Sequence, residues 1–224
     1  MPYFGFPTSP SGGGNPRVSI VDVLSSSSTI STNAANGGSA TALAGYNGFL
    51  IKRGTTANGG ASILNPTGQY IEPVYDKNPQ IWFSFVDEQF AAGNTYQTYL
   101  TFDYCGAASA AIPTLAKYFG FKIKNNNGTH ELYSVHCDGT NAEVSTLLSG
   151  VTWGFNTHTV GAVMTSGTSI KFFVDGTLAA THTLNLPTGP QSGQALWEVI
   201  GVGSAGTTDQ NMIVLQAAGV SYDL

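Results

Sequence analysis

The chain has 224 residues, of which 9% are charged and 42% hydrophobic, with 28 glycines and a net charge of -5. This charged fraction is far below the roughly 25% of an ordinary soluble domain, so uncharged polar residues must cover the surface. Eight basic residues spread along the chain cannot supply the clustered positive charge that phosphate binding needs, which excludes a nucleic-acid partner. No stretch approaches the roughly 18 apolar residues of a membrane span.

The first 75 residues differ in composition from the remainder. The segment from Ser25 to Gly38 is nearly uncharged and poor in large apolar groups, so it needs a neighbour in order to become ordered. Two interpretations stay open: a flexible linker, or an extended arm that lies on its own body or on another subunit. We favour the arm, in which Val18 to Leu24 and Tyr46 to Ile51 form strands. The expected division is an arm of residues 1–75 and a domain of residues 76–224.

From Gln80 onward, hydrophobic residues recur with a period of two, and turn signals come about every ten residues. This pattern predicts an all-β fold with two stacked antiparallel sheets. The clearest hairpin has its first strand at 170–174 and turns at Asp175-Gly176. The pair Asp138-Gly139 predicts a second tight turn, because a two-residue hairpin requires positive φ angles.

The sequence contains no spacing of cysteines or histidines that indicates a metal site or a cofactor site. Cys105 and Cys137 fit no zinc signature and permit one optional bridge or two free thiols. The spacing of the four histidines supports no metal site either. We expect three of them, His136, His158 and His182, to fill alternating strand positions and to bond a neighbouring threonine or backbone carbonyl. No cofactor is expected.

Five phrases carry a resemblance to a known family. They are YFGFKI at 118–123, VHCDGT at 135–140, NTHTV at 156–160, IKFFVDGTL at 170–178 and THTLNLP at 181–187. The phrases resemble the central hairpins of concanavalin A-like lectin/glucanase modules, including the laminin-G-like versions in surface proteins of viruses and phages. The resemblance covers about half of the chain. It implies an all-β, two-sheet antiparallel jelly-roll sandwich, to which the sequence adds an extended N-terminal arm.

The resemblance also bears on catalysis and on calcium. Glycosidases of this family carry Glu-x-Asp-x-x-Glu on one strand, which places an acid and a nucleophile about 5 Å apart. No such triplet occurs here, and the adjacent Asp87-Glu88 would face opposite sides of a strand or sit in a turn. We therefore expect no enzymatic activity. Legume-type lectins hold sugars with bound calcium, and this chain lacks the acidic and asparagine-rich loop that such a site needs.

Sugar recognition without a metal stays open, because aromatic faces stack on pyranose rings and amides bond hydroxyls. The candidate ligand-binding residues are Trp153, Asn126 and Asp138, all in predicted loops. The alternative for Trp153 is packing over one end of the sandwich.

The expected function is that of a non-catalytic virion surface or decoration protein that contacts itself, other virion subunits or a cell-surface glycan. The first residues lack the charged and apolar regions of a secretory signal, which suits a particle assembled inside a cell. The low charge suits close packing of like subunits. We expect a location on the virion surface or outside the cell. Two other classes stay open: a free carbohydrate-binding module or lectin, and a diverged glycoside hydrolase.

Overall fold

The computed structural model describes residues 17–23, 31–43, 48–52, 60–66, 74–87, 95–103, 116–126, 128–154, 156–190, 195–203 and 211–223. Within these residues the chain forms fifteen β-strands in two antiparallel sheets and a short 3-10 helix at Tyr75–Lys77. The all-β, two-sheet prediction is confirmed. In the same part of the chain, no helix has the length and hydrophobicity needed to cross a membrane.

The fifteen strands of the described residues are numbered in chain order. In chain order they are β1 (Arg17–Val23), β2 (Ser31–Ala35), β3 (Ser39–Ala42), β4 (Phe49–Lys52), β5 (Gly60–Pro66), β6 (Gln80–Asp87), β7 (Thr95–Phe102), β8 (Lys117–Asn126), β9 (Thr129–Asp138), β10 (Val144–Leu148), β11 (Thr157–Thr165), β12 (Ser169–Val174), β13 (Thr177–His182), β14 (Ala195–Gly203) and β15 (Asn211–Asp223).

The two sheets draw their strands from both halves of the chain. Over the described residues, the eight-stranded sheet A has the spatial order β13-β12-β11-β6-β15-β4-β3, and β1 also pairs with β15. The seven-stranded sheet B has the order β10-β9-β8-β7-β14-β5-β2. Each sheet is therefore completed by strands distant in sequence.

The core lies between the two sheets, where alternate side chains of each strand meet. Phe85 of sheet A and Phe119 of sheet B are fully buried there. Phe121 of sheet B meets Phe172 of sheet A edge to face, with ring centroids 5.6 Å apart. This is the period-two burial that the sequence predicts, because successive strand residues point to opposite faces of a sheet.

Residues 17–66, which the sequence assigns to an arm, supply five strands to the two sheets. β1 and β4 pair with β15, β5 pairs with β14, β2 pairs with β5, and β3 pairs with β4. β4 and β5 also add apolar side chains to the common core, namely Phe49, Ile51, Ala61 and Ile63. Because these strands find their backbone partners within the chain, their pairing needs no second subunit.

The two predicted tight turns have different outcomes. Asp175 and Gly176 have φ angles of 48° and 82°, as a two-residue turn between β12 and β13 requires. The prediction of a tight turn at Asp138-Gly139 is wrong. Of that pair only Gly139 has a positive φ, and residues 139–143 separate β9 from β10. The physical reason is that the Asp138 carboxylate accepts hydrogen bonds from the backbone N–H groups of residues 140 and 141, which stabilises a wider loop.

Candidate functional site

Two of the three ligand-binding candidates from the sequence lie far apart. Asn126 ends β8 and Asp138 ends β9, and the register pairs Asn126 with Thr129 and Asp138 with Lys117. Because a strand rises about 3.3 Å per residue, the two candidates are roughly 30 Å apart, at opposite ends of the β8–β9 hairpin. The side chain of Asn126 lies outside the described part of the structure. These two residues therefore do not form one site.

Trp153 closes one end of the gap between the sheets. Its indole packs against His130 of sheet B, with ring centroids 5.3 Å apart, and against His158 of sheet A, at 5.6 Å. The side chain is partly exposed and contacts the main core. This geometry agrees with the alternative of packing over a sandwich end, and a ligand-binding role for Trp153 stays a prediction.

The carboxylate of Asp138 is engaged within its own loop. Its Oδ1 accepts from the backbone N–H of Thr140 at 2.8 Å and from that of Asn141 at 2.7 Å, and its Oδ2 accepts from Nδ2 of Asn141 at 2.7 Å. Burial acts to raise the pKa of Asp138, but the hydrogen bonds from Asn141 and Thr140 outweigh it and hold the pKa below its usual value. These hydrogen bonds stabilise the conformation of the loop after β9.

Two of the histidines meet across the gap at the edge formed by β10 and β13. The Nδ1 atoms of His136 and His182 lie 2.8 Å apart. Nε2 of His182 is 3.0 Å from the Thr146 hydroxyl and 3.1 Å from that of Ser134, and Nε2 of His136 is 2.9 Å from the carbonyl oxygen of Leu184. Both histidines bond a threonine or a backbone carbonyl, as the sequence predicts.

His158 binds a carboxylate instead. Its Nδ1 is 3.2 Å from Oδ2 of Asp175 in the β12–β13 turn, and Oδ1 of Asp175 accepts from the backbone N–H of Thr159 at 2.8 Å. Asp175 therefore ties this turn to β11. Across the described residues, no group of three or more His, Cys, Asp or Glu side chains is placed to hold a metal ion.

The outer face of sheet B carries a cluster of tyrosines and charges that the sequence alone does not reveal. The register places Tyr99 of β7, Lys122 of β8 and Tyr133 of β9 side by side on this face. Nζ of Lys122 lies 5.6 Å from the ring centre of Tyr99 and 5.2 Å from that of Tyr133. Both distances allow a cation–π attraction, so the ammonium group is held between two aromatic rings.

Two glutamates complete this cluster. Glu143, in the loop before β10, forms an ion pair with Lys122 and accepts a hydrogen bond from the Tyr118 hydroxyl at 2.7 Å. Glu131 accepts a hydrogen bond from the Tyr133 hydroxyl at 2.7 Å, and this bond is the main cause of the raised pKa of Tyr133. We call the cluster the outer-face patch: Tyr99, Tyr118, Lys122, Glu131, Tyr133 and Glu143.

The members of the outer-face patch differ in exposure. Tyr99 and Tyr118 are buried and pack edge to face, with ring centroids 6.1 Å apart. They belong to a second hydrophobic cluster with Val135 and Cys137, which is a free thiol. Tyr133 packs against that cluster and remains partly exposed, as do the lysine and the two glutamates. The buried pair thus provides a rigid base for the groups that solvent reaches.

Comparison with solved structures gives several matches at low sequence identity. A protein of unknown function, SO2946 from Shewanella oneidensis MR-1, superposes with a TM-score of 0.59 at 11% identity, covering 96% of this chain and 90% of that one. The beta-glucanase of Bacillus licheniformis has a TM-score of 0.57 at 14% identity, with 96% and 100% covered. The carbohydrate recognition domain of Emp47p has a TM-score of 0.56 at 13% identity, with 92% and 95% covered.

The sequence comparisons give no such match. No protein-family model matches the chain, and no curated protein does. These three matches extend over nine-tenths or more of both chains, and they include a carbohydrate recognition domain and a glucanase. The chain therefore has the concanavalin A-like jelly-roll fold of lectins and glucanases.

Proposed function

We propose that this protein is a non-catalytic carbohydrate-binding module and that the outer-face patch contacts the sugar. The observation that carries the proposal is a partly exposed Tyr133 ring flanked by Lys122 and Glu131 on a rigid sheet. An aromatic ring stacks on the apolar face of a pyranose, while an ammonium and a carboxylate bond its hydroxyls. The three groups therefore offer both kinds of contact within one small area.

The structural neighbours support this class of ligand. One is a carbohydrate recognition domain and another is a beta-glucanase. Because a single fold hosts many functions, the neighbours bear on the fold, and the choice of site rests on the residues of this chain.

The contacts of Glu143 argue against a role of this residue in hydrolysis. One of its oxygens faces Lys122 and the other accepts from Tyr118. A general acid must give a proton to the leaving group of a glycoside, and neither oxygen is available for that without breaking a contact. We expect no release of reducing sugar from a polysaccharide panel. Release that disappears in Glu143→Gln would replace this proposal with hydrolysis.

A glycan array followed by calorimetry with the best-bound oligosaccharide tests the site. We expect Tyr133→Ala to weaken binding about tenfold or more, because it removes the stacking ring. Leu184→Ala is the control, since Leu184 is 74% exposed and lies outside the outer-face patch. A loss of binding in Trp153→Ala but not in Tyr133→Ala would move the site to the end of the sandwich.

We also propose that the protein acts on the virion surface or outside the cell and that it contacts other subunits there. It rests on the sequence resemblance and on the low charge. The pairing of β1 to β5 within the chain removes one argument for it, because those strands do not need a neighbour. Light scattering on the purified full chain is the test. A stable oligomer supports subunit contacts, whereas a glycan-binding monomer favours a free lectin-like module.

A further inference from the structure

Exposed large hydrophobic side chains lie along one edge of the sandwich. Over the described residues there are three: Leu147 on β10, Leu178 on β13 and Leu184 just after β13, which are 54%, 52% and 74% exposed. β10 is the edge strand of sheet B, and β13 is the edge strand of sheet A. The carbonyl oxygen of Leu184 lies 2.9 Å from Nε2 of His136, which pairs with the first residue of β10. The apolar surface therefore surrounds an edge where both sheets end.

β10 lacks features that usually prevent an edge strand from pairing with another chain. Proteins protect such strands with charged side chains, with proline or with a β-bulge. The strand, with the sequence VSTLL, contains no charged residue and no proline, and its register on β9 runs without a shift. Its three central residues, Ser145, Thr146 and Leu147, are all exposed. The backbone groups on its outer side are therefore accessible to a partner strand.

β13, the neighbouring edge strand, is protected by a change of register. Phe172 of β12 pairs with Ala180, but the next residue, Phe173, pairs with Leu178. Ala179 is therefore an extra residue in β13, which makes a β-bulge. Because a bulge interrupts the ladder and increases the local twist, it disfavours regular pairing with a further strand. Of the two strands at this edge, β10 is thus the one suited to strand addition.

Two copies of β10 are compatible with each other when they pair antiparallel about Thr146. In that register Ser145 lies opposite Leu147 of the second copy, so a small side chain meets a large one on each side of the axis. Glu143, the charged residue next to the strand, falls opposite Ser149, and like charges do not face each other. The chain has a net charge of -5, so a contact between copies must avoid such repulsion. An uncharged strand meets this requirement.

We propose that β10 pairs with β10 of a second copy, so that the two seven-stranded sheets form one continuous antiparallel sheet. A two-fold axis perpendicular to the sheet relates the copies, because opposite residues of an antiparallel pair point to the same face. A contact through one five-residue strand and its flanking leucines is at the small end of specific interfaces. The dimer therefore forms in the micromolar range of concentration and dissociates on dilution.

The pairing gives the outer-face patch a second copy that faces the same direction. A surface that displays many identical glycans then contacts both patches of a dimer, and the second contact benefits from a high effective concentration. This consequence rests on the proposed sugar-binding function, whereas the pairing of β10 does not.

Sedimentation of the full chain, from micromolar to near-millimolar concentration, tests the pairing. We expect a concentration-dependent dimer. Ser145→Lys and Leu147→Lys should each weaken it about tenfold or more, because each places an ammonium group on the edge strand of both copies. Leu178→Lys is the matched control, since Leu178 is as exposed as Leu147, at 52% against 54%, but lies on the bulged strand. We expect this variant to dimerise as the wild type does.

Amide hydrogen exchange provides a second measurement, because the amides of β10 should exchange more slowly in concentrated than in dilute wild-type protein. The proposal is overturned if the wild type stays monomeric over the whole range, or if a dimer forms without added protection of β10. It is also overturned if Ser145→Lys and Leu147→Lys, folded by circular dichroism, dimerise as the wild type does, or if Leu178→Lys dissociates the dimer equally. Calorimetry with a soluble oligosaccharide tests the outer-face patch separately, so a failure of sugar binding is distinguishable from a failure of the dimer.

Discussion

The Nδ1 atoms of His136 and His182 face each other at 2.8 Å, so one ring donates a proton and the other accepts it. Nε2 of His136 faces the Leu184 carbonyl oxygen, which can only accept, so the proton of His136 lies on Nε2. His182 therefore donates from Nδ1, and its Nε2 accepts from the Thr146 hydroxyl at 3.0 Å, while the Ser134 hydroxyl donates to the Thr146 carbonyl oxygen. The network is satisfied when both rings are neutral, and it joins β9 of one sheet to β13 of the other.

We expect this arrangement to make the protein less stable in mild acid. Burial, and to a smaller extent the unfavourable electrostatic effect of a second imidazole at His136, lowers the pKa of His182 to about 4, and burial lowers that of His130 to about 4. In the unfolded chain a histidine has a pKa of about 6.5, so below that pH the unfolded state binds protons that the folded state does not. Stability is therefore lost as the pH falls from about 6.5 toward 4. Each of these histidines removes up to about 3 kcal/mol of unfolding free energy.

Urea unfolding at pH 7.5, 6.0 and 4.5 measures this dependence. His182→Gln should make the curve shallower over this range, because His130 is then the only one of these two histidines that still titrates. An unfolding free energy that stays constant between pH 7.5 and 4.5 would mean that these histidines are not held neutral in the fold.

A second prediction concerns Asn78, which joins three parts of the chain. Its Oδ1 accepts from the backbone N–H of Ser166 at 2.9 Å, its Nδ2 donates to Asp223 at 2.7 Å, and its carbonyl oxygen accepts from Arg17 at 3.0 Å. Its φ of 49° is left-handed. Asn78→Gly keeps that backbone conformation and removes the side-chain bonds, so we expect a loss of about 1–3 kcal/mol in urea unfolding.

Asn78→Ala should cost about 1 kcal/mol more than Asn78→Gly, since a Cβ disfavours the left-handed region. Equal stability of both variants and the wild type would show that Asn78 does not fasten β1, β15 and the β11–β12 turn together.

A third prediction tests the packing between the sheets. Phe172 is fully buried and contacts Phe121 and the ring of His182, whose centroid is 4.7 Å away. Phe172→Ala should therefore lower the unfolding free energy by about 3–5 kcal/mol. Leu178→Ala, on the neighbouring strand but 52% exposed, should change it by less than about 0.5 kcal/mol. Similar values for the two variants would place Phe172 outside the core.

A fourth prediction concerns the first 75 residues. A chain that starts at Asp76 lacks β1 to β5 and with them the pairing partners of β14 and β15 on one side. We expect it to aggregate or to lose its cooperative melting transition, because it exposes strand edges and core surface. Circular dichroism and size-exclusion chromatography provide the measurement. A folded monomer with the melting temperature of the full chain would instead support a separate domain of residues 76–224.

The strand pattern could be predicted from the sequence because burial in a sandwich has a period of two. Phe119, Phe121 and Phe172 follow that period, and all three are fully buried. The residue types at the turns predicted the length of each turn less well. An Asp-Gly pair forms a two-residue turn at Asp175, whereas at Asp138 the carboxylate bonds the backbone beyond it and widens the loop.

The candidate site could not be predicted from such local patterns, because it depends on which residues the strand register places side by side. Lys122 and Tyr133 are adjacent only through the pairing of β8 with β9, and Glu143 reaches Lys122 from a loop. Asn126 and Asp138 both lie beside predicted turns, but successive turns along antiparallel strands lie at opposite ends of the sheet. The periodicity of a single strand cannot distinguish those ends.

Sugar binding on the outer-face patch is tested most directly by titrating the isotope-labelled full chain with the best-bound oligosaccharide and recording amide chemical shifts. We predict shifts that saturate together and concentrate on β8, β9 and the loop before β10, with the largest at Lys122, Glu131, Tyr133 and Glu143. Shifts confined to Trp153, Asn126 and Asp138, or no shifts at all with a glycan that the array identifies, would contradict the assignment.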